Sequence, residues 1–489
     1  MKRRNYTWYL WGMLLSCAGI TLLLYWLPEE VLGIPLQKVD LLSELRPSED
    51  ETLTDDNLNP IRGQSVSNST DTEKEEIAKR DALYEDLRRA DAVTRPSPEE
   101  QSTEDPTEAA KNQTAENTQP KVYFEDFSSS HLGLLNTYKA LASRKATQNP
   151  LRIAFMGDSF IEADIFTLDV RRLLQKRYGG GGPGWMPFTS EVAGYRQGVS
   201  HTFSGWKDHF IVRQTSDQYP LTGHYYTSEG NNATLHYQVA KGYTPWNCAI
   251  LYYTASQEVQ VEVSDSDTIK RVTLPPSSRL RSYPIEQIRG DVTLSFTNLS
   301  GAKFYGLALD KGRSSGGVIV DNYSHRGSSG IHLAQIESSL GSEFAGLRPY
   351  NMIVLQYGLN VASPKTKDYS GYTKQMKKVI EHLQKLYPRA DIVIMGVSDR
   401  AKKRDGAMHT MPAIYALRKA QRQLAHDTGV VFWDTFQAMG GEDAMVRYTQ
   451  GGLAAKDYTH MSFKGGKRLA EVFFNSFLFE EQYYQRLNP

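Results

Sequence analysis

Cysteine is nearly absent from this chain. Two thiols, Cys17 and Cys248, stand in 489 residues, too few for a disulfide framework or a thiolate metal site. An excess charge of one sign is missing as well: 56 basic residues offset 56 acidic ones, so no basic field draws the chain to nucleic acid. The sequence has no His-Glu-x-x-His, no Gly-x-Gly-x-x-Gly and no Walker loop, and histidines such as His332, His382 and His409 lack companions at metal-ligand spacing. No metal or cofactor is therefore expected. The glycine-rich run 179–184 follows a helical pattern instead of opening one and reads as a flexible loop.

Long apolar runs are also scarce, with one exception at the amino terminus. Lys2, Arg3 and Arg4 precede an uncharged stretch from Asn5 to Leu27, and Glu29 and Glu30 follow it. That is the length needed to cross a bilayer, with the basic end on the cytoplasmic side. Residues 1–28 are thus expected to anchor a single-pass protein in a bacterial inner membrane, its bulk periplasmic or otherwise extracytoplasmic. A cleaved signal peptide is the main alternative, and lipidation at Cys17 a more distant one. Residues 29–120 are too polar to bury a core and read as a disordered linker. Within them, 73–92 has helical composition with a thin apolar stripe of Ile77, Leu83, Tyr84 and Leu87, expected to be a solvated helix in a spacer.

Beyond the linker, strand and helix patterns alternate. Strands are expected at 151–156, 317–321, 352–357, 391–397 and 430–434, and helices at 165–178, 331–340, 372–387, 412–427 and 463–479. Alternation of this kind predicts a parallel sheet covered by helices on both faces. From 190 to 312 the helical period vanishes and short Val-, Thr- and Tyr-rich runs replace it, which predicts an inserted β-sandwich. The α/β part is then divided into 121–189 and 313–489. Tyr225, Tyr226, Tyr243 and Trp246 in the insertion read first as sandwich core, with stacking on sugar faces as the alternative.

Three segments carry chemistry. Leu151–Met156 breaks into Gly157-Asp158-Ser159, and a serine hydroxyl becomes a nucleophile when a base takes its proton. The sequence Asp457-Tyr-Thr-His460 supplies a base and a carboxylate to orient it, one helical turn apart. The strand 352–357 ends in Gly358-Leu-Asn360, whose side-chain amide suits a donor to an oxyanion. Each motif alone is weak. Their joint placement after apolar strands is what counts, because open α/β sheets carry their chemistry at the carboxyl ends of strands.

These residues resemble the four blocks of the SGNH, or GDSL, hydrolase superfamily. The run Gly157-Asp-Ser-Phe-Ile-Glu-Ala-Asp-Ile-Phe-Thr167, with a β-rich insertion before the second block, is most similar to its peptidoglycan O-acetylesterase group. The resemblance implies a flavodoxin-like parallel sheet and a catalytic triad of Ser159, His460 and Asp457. It also implies an oxyanion hole from the Ser159 amide, the Gly327 amide and Asn360, with Gly330 as the other choice for the second-block glycine. Two departures stand out: Val361 where the third block usually has Asp, and the segment Gly451-Gly-Leu-Ala-Ala before the Asp-x-x-His block. The implied activity is removal of acetyl or another small acyl group from an envelope polysaccharide, so an acylated glycan is the expected substrate. Transfer of the acyl group to a glycan beside a membrane-bound O-acyltransferase is the second reading, and noncatalytic glycan binding the third.

Overall fold

The computed structural model describes residues 30–31, 34–35, 71–93, 120–213, 219–311 and 316–487. The chain divides into residues 1–53 and 54–489. Of the first unit only Glu30–Val31 and Ile34–Pro35 are described, paired antiparallel. The expected anchor at 1–28 and most of the expected linker lie outside the described residues. Among the described residues no helix is long and apolar enough to cross a membrane.

In chain order the α/β elements of the second unit are α1 (Asp71–Val93), β1 (Glu125–Asp126), α2 (Leu135–Thr147), β2 (Leu151–Gly157) and α3 (Thr167–Tyr178). After the insertion come β3 (Val318–Ser324), α4 (Ser338–Leu347), β4 (Met352–Gln356), α5 (Ser370–Leu386), β5 (Asp391–Met395), α6 (Pro412–Thr428), β6 (Val431–Trp433) and α7 (Phe463–Leu487). The sheet order is β3-β2-β4-β5-β6-β1. Its first five strands are parallel and β1 closes the edge antiparallel.

β2 shows why these strands read as unbroken apolar runs. Ile153 and Phe155 face a core shared with α2, α3 and α7, while Ala154 and Met156 face one shared with α4 and α5. A strand covered on both faces has no polar side to alternate with. The order of the five parallel strands reverses between β2 and β4, and their carboxyl ends there form the crevice that such sheets use for ligands.

Between α3 and β3 the chain builds two antiparallel sheets. One is ordered Ser277–Glu286, Cys248–Ala255, Ala302–Asp310, His224–Ser228, Trp206–Phe210; the other Ile269–Leu274, Val259–Ser264, Val292–Thr297, Asn232–Val239, Val199–Ser204. Apolar side chains of both meet in one core, so this is a sandwich. Along Cys248–Ala255, Ala249, Leu251 and Tyr253 point into that core while Ile250 and Tyr252 join the core that includes α4. That strand is thus buried on both faces. Tyr226 and Trp246 are buried in the sandwich core, as expected, whereas Tyr225 is buried in the core shared with α4 and Tyr243 is half-buried.

Several expectations need correction. The glycine run is a loop through residue 183, as expected, but a closely packed one that leads into the strand Gly184–Met186, paired with Ala302–Asp310. A Cβ on Gly180 would lie 2.5 Å from the Val318 carbonyl oxygen and one on Gly182 2.1 Å from that of Leu309. Bare backbone is what lets the chain pass between the two sheets. The helix expected at 331–340 is split into a 3₁₀ turn, Ile331–Gln335, and α4. The Glu337 carboxylate accepts the Ser339 and Leu340 amides, so it starts a new helix there.

The helix expected to be solvated, α1, docks on α7. Tyr84 packs edge-on against Phe479 and Tyr483 at ring distances of 5.1 and 5.0 Å, and Leu87 is buried. The Tyr84 hydroxyl donates to the Phe124 carbonyl at 3.1 Å and shares a short hydrogen bond with Glu480. Burial pushes the Glu480 carboxyl up to about 8, against the lowering effect of Tyr84. A carboxyl raised in the fold stabilises it fully below its ordinary value of 4.5, and that contribution is lost as pH rises toward about 8. Denaturant titration across that range should show stability falling by on the order of a few kcal/mol, and Glu480→Gln should flatten the dependence. An unchanged slope in the variant would assign the effect to other groups.

Candidate active site

The turn after β2 is tightly built. A Cβ on Gly157 would lie 2.9 Å from the Gln356 carbonyl of β4, so glycine allows the two strands to end side by side. The next residue, Asp158, is fully buried, and its Oδ1 accepts the Phe160 amide at 2.9 Å. Burial pushes this carboxyl up to about 6, against the opposing effects of the Phe160 amide, His460 and Asn360. Ser159 is left half-buried at the carboxyl end of β2 with its side chain open to solvent.

His460 arrives from the far end of the chain through α7. Cβ atoms on Gly465 and Gly466 would lie 2.0 Å from the Leu453 carbonyl and 1.9 Å from that of Ile165. The first turn of α7 is thereby packed backbone to backbone against the segment following Ser159. The Asp-x-x-His block lies on a turn, not on a helix as the spacing implied. Asp457 Oδ1 accepts the amides of Thr459 and His460, each at 3.0 Å, and the loop closes where the Ala455 amide donates to the His460 carbonyl at 2.8 Å. Short side-chain caps of this kind compete with helix.

The structure brings the three side chains into line. Asp457 Oδ2 is 2.7 Å from His460 Nδ1, and His460 Nε2 is 3.2 Å from Ser159 Oγ. A carboxylate can only accept, so the proton is on Nδ1 and the Nε2 lone pair faces the serine hydroxyl. Burial works to raise the Asp457 carboxyl, but hydrogen bonds from His460 and Thr459 outweigh it and hold the group below its ordinary value. His460 and Asp457 are each half-exposed, which leaves the line accessible to a large substrate.

Asn360 follows β4 and turns toward Ser159's neighbour. Its Nδ2 donates to Asp158 Oδ2 at 2.9 Å and to the Ser328 carbonyl at 2.9 Å. Both amide hydrogens thus have acceptors, a pairing the sequence did not announce. Gly327 has φ +74° with open space around its missing Cβ. Its amide and that of Ser159 donate to nothing among the described residues, whereas the Gly330 amide is taken by Ser328 Oγ at 2.9 Å.

Beside this line, and not including it, a cavity of about 310 Å³ opens between the α/β part and the sandwich. Glu162 and Arg326 line it from one side, paired at 2.9 Å, and Trp206, Arg213 and His224 from the other. Nothing in the sequence placed these residues together, because the sandwich strand that carries His224 went unread.

No family profile and no curated relative matches the chain by sequence. Among solved structures, a peptidoglycan O-acetylesterase matches with a TM-score of 0.61 and 21% identity, over 73% of this chain and 99% of its own. A family two carbohydrate esterase from Cellvibrio japonicus matches at 9% identity over 58% of this chain and 99% of its own, with a TM-score of 0.26, too slight to bear on the argument. The chain therefore shares the fold of a solved peptidoglycan O-acetylesterase.

Proposed function

We propose that this protein is a serine esterase that removes acetyl or similarly small acyl groups from an envelope polysaccharide such as peptidoglycan. The observation that carries the reading is the line Asp457–His460–Ser159, at 2.7 and 3.2 Å. His460 Nε2 takes the hydroxyl proton as Ser159 Oγ attacks the ester carbonyl. The tetrahedral oxyanion meets the free amides of Ser159 and Gly327, with Asn360 as third donor in place of one of its resting acceptors. Collapse breaks the bond to the sugar oxygen, which leaves with the proton from His460 Nε2. Water then gives a proton to His460 and attacks the acyl-Ser159, releasing the acid and restoring the serine.

The choice of an acetylated glycan is supported by the fold shared with a peptidoglycan O-acetylesterase and by the open position of the three side chains. An extracytoplasmic location is part of the same proposal and rests on the charged and apolar pattern of residues 2–27. The reading is tested by labelling with a fluorophosphonate. The expected result is one adduct, at Ser159, that disappears in His460→Ala; labelling at another serine would place the nucleophile elsewhere. Asn360→Ala should lower kcat on a small aryl acetate by about a hundred- to a thousandfold with KM little changed. Turnover close to wild type would exclude the amide as an oxyanion donor.

A further inference from the structure

Behind the loop 327–330 lies a chain of buried hydrogen bonds that the reaction does not use directly. His325 is fully buried and His332 nearly so. His325 Nε2 is 2.8 Å from the carbonyl of Thr222, which belongs to the inserted domain at the start of the strand His224–Ser228. His332 Nε2 is 3.0 Å from His325 Nδ1, and Ser328 Oγ is 2.8 Å from His332 Nδ1. The last link is the Gly330 amide donating to Ser328 Oγ.

Every proton in this chain has one allowed place. A carbonyl only accepts, so His325 carries its hydrogen on Nε2. Burial and neighbouring histidines lower the affinity of both rings for a second proton, to about 4 for His332 and well below its ordinary value for His325, so both are neutral at neutral pH. The His325 Nδ1 lone pair then accepts from His332 Nε2–H, sharing that lone pair with the Tyr357 hydroxyl at 3.2 Å. His332 Nδ1 is left as an acceptor for the Ser328 hydroxyl, which in turn is free to accept from Gly330. Five groups are thus aligned in one direction, from the oxyanion loop to the backbone of the sandwich, in a setting where each bond strengthens the next.

The loop held this way is the one that presents the Gly327 amide and gives Asn360 its Ser328 acceptor. We propose that the inserted domain fixes the oxyanion loop through the His332–His325 relay, making the two histidines positioning residues for the reaction. The proposal rests on the serine-esterase reading of Ser159. It gives the sandwich a part in catalysis besides any contact with glycan: the packing of the two domains and the arrangement of the oxyanion donors are coupled. Thr222 and His224 also line the cavity of about 310 Å³, so a ligand seated there would press on the Thr222 end of the relay.

The test uses full-length protein and a small aryl acetate that does not reach the sandwich. His332→Leu keeps the apolar volume but removes both relay bonds. From the insertion side, Gly223→Ala puts a Cβ 2.8 Å from His325 Nε2 at a φ of +69° and so disturbs the same link without touching the loop. Both variants should lose roughly tenfold or more in kcat, less than the loss of a whole donor, with KM nearly unchanged. Wild-type kcat in a folded His332→Leu would overturn the proposal. Ring ¹⁵N shifts of the unmodified protein give an answer independent of how the variants fold. Both histidines should be neutral with the proton on Nε2, and a proton on Nδ1 of either would overturn the relay. Unchanged turnover in Ser159→Ala would instead remove the underlying reading.

Discussion

Replacing Ser159 with alanine should reduce turnover of a small acetate ester by at least about 10⁴-fold while leaving substrate affinity and the melting transition close to wild type. The reason is local. Ser159 makes one side-chain hydrogen bond, to an exposed histidine, so removing its hydroxyl orphans no buried group. His460→Ala should cost a comparable factor, and the double variant little more than either alone, because residues that act as one unit are not additive. Progress curves under single-turnover conditions measure this. Additive losses would mean that the serine and the histidine act in separate steps.

The second large effect falls on stability. Arg348 is buried where the two domains join, between Asp310 at the end of the last sandwich strand and Asp321 in β3. Its Nε donates to Asp321 Oδ2 at 2.6 Å and its Nη1 to Asp310 Oδ2 at 3.1 Å. Asp321 Oδ1 also accepts the amide of Trp185, the residue by which the chain enters the sandwich. Burial opposes the charge on Asp321, yet Arg348 outweighs it and holds the carboxyl below its ordinary value; burial likewise opposes the charge on Arg348, and the two aspartates outweigh it and raise that group. Taking away the cation leaves two buried carboxylates facing each other. Arg348→Met should therefore destabilise by about 3–5 kcal/mol in denaturant titration at neutral pH. The loss should shrink at acid pH as Asp321 takes up a proton. A change under about 1 kcal/mol would show that water reaches the junction and solvates the aspartates.

Much of the α/β part could be read from the sequence because its strands are buried on both faces and its helices carry one apolar side. The helix expected at 412–427 and the strand expected at 151–156 each differ from the observed element by one residue at an end. The sandwich was legible as a region, but strands such as Val199–Ser204 and Ser277–Glu286 were not. The first alternates buried valine and histidine with polar residues, and in the second only Leu280 and Ile285 are buried, so neither shows a run of apolar side chains. The helix α1 was legible, but its docking was not, for a related reason. Its contact with α7 relies on Tyr84 and Leu87, too thin a stripe to predict docking.

At the site, the Asp-x-x-His spacing correctly announced that the two side chains could meet, and wrongly a helix to hold them. The directed chain from Ser328 to Thr222 had no signal at all. Its hydrogen-bonded partners are separated by up to 103 residues, and a lone buried histidine looks the same in sequence whether it closes a relay or fills a core.

Acetate release from O-acetylated peptidoglycan by the full-length protein tests the central claim most directly, with Ser159→Ala in parallel and other acetylated glycans for comparison. Release by the wild type that is lost in the variant is the predicted result. A folded wild-type protein that frees no acetate from any of these polymers, or a variant that frees as much, would contradict it.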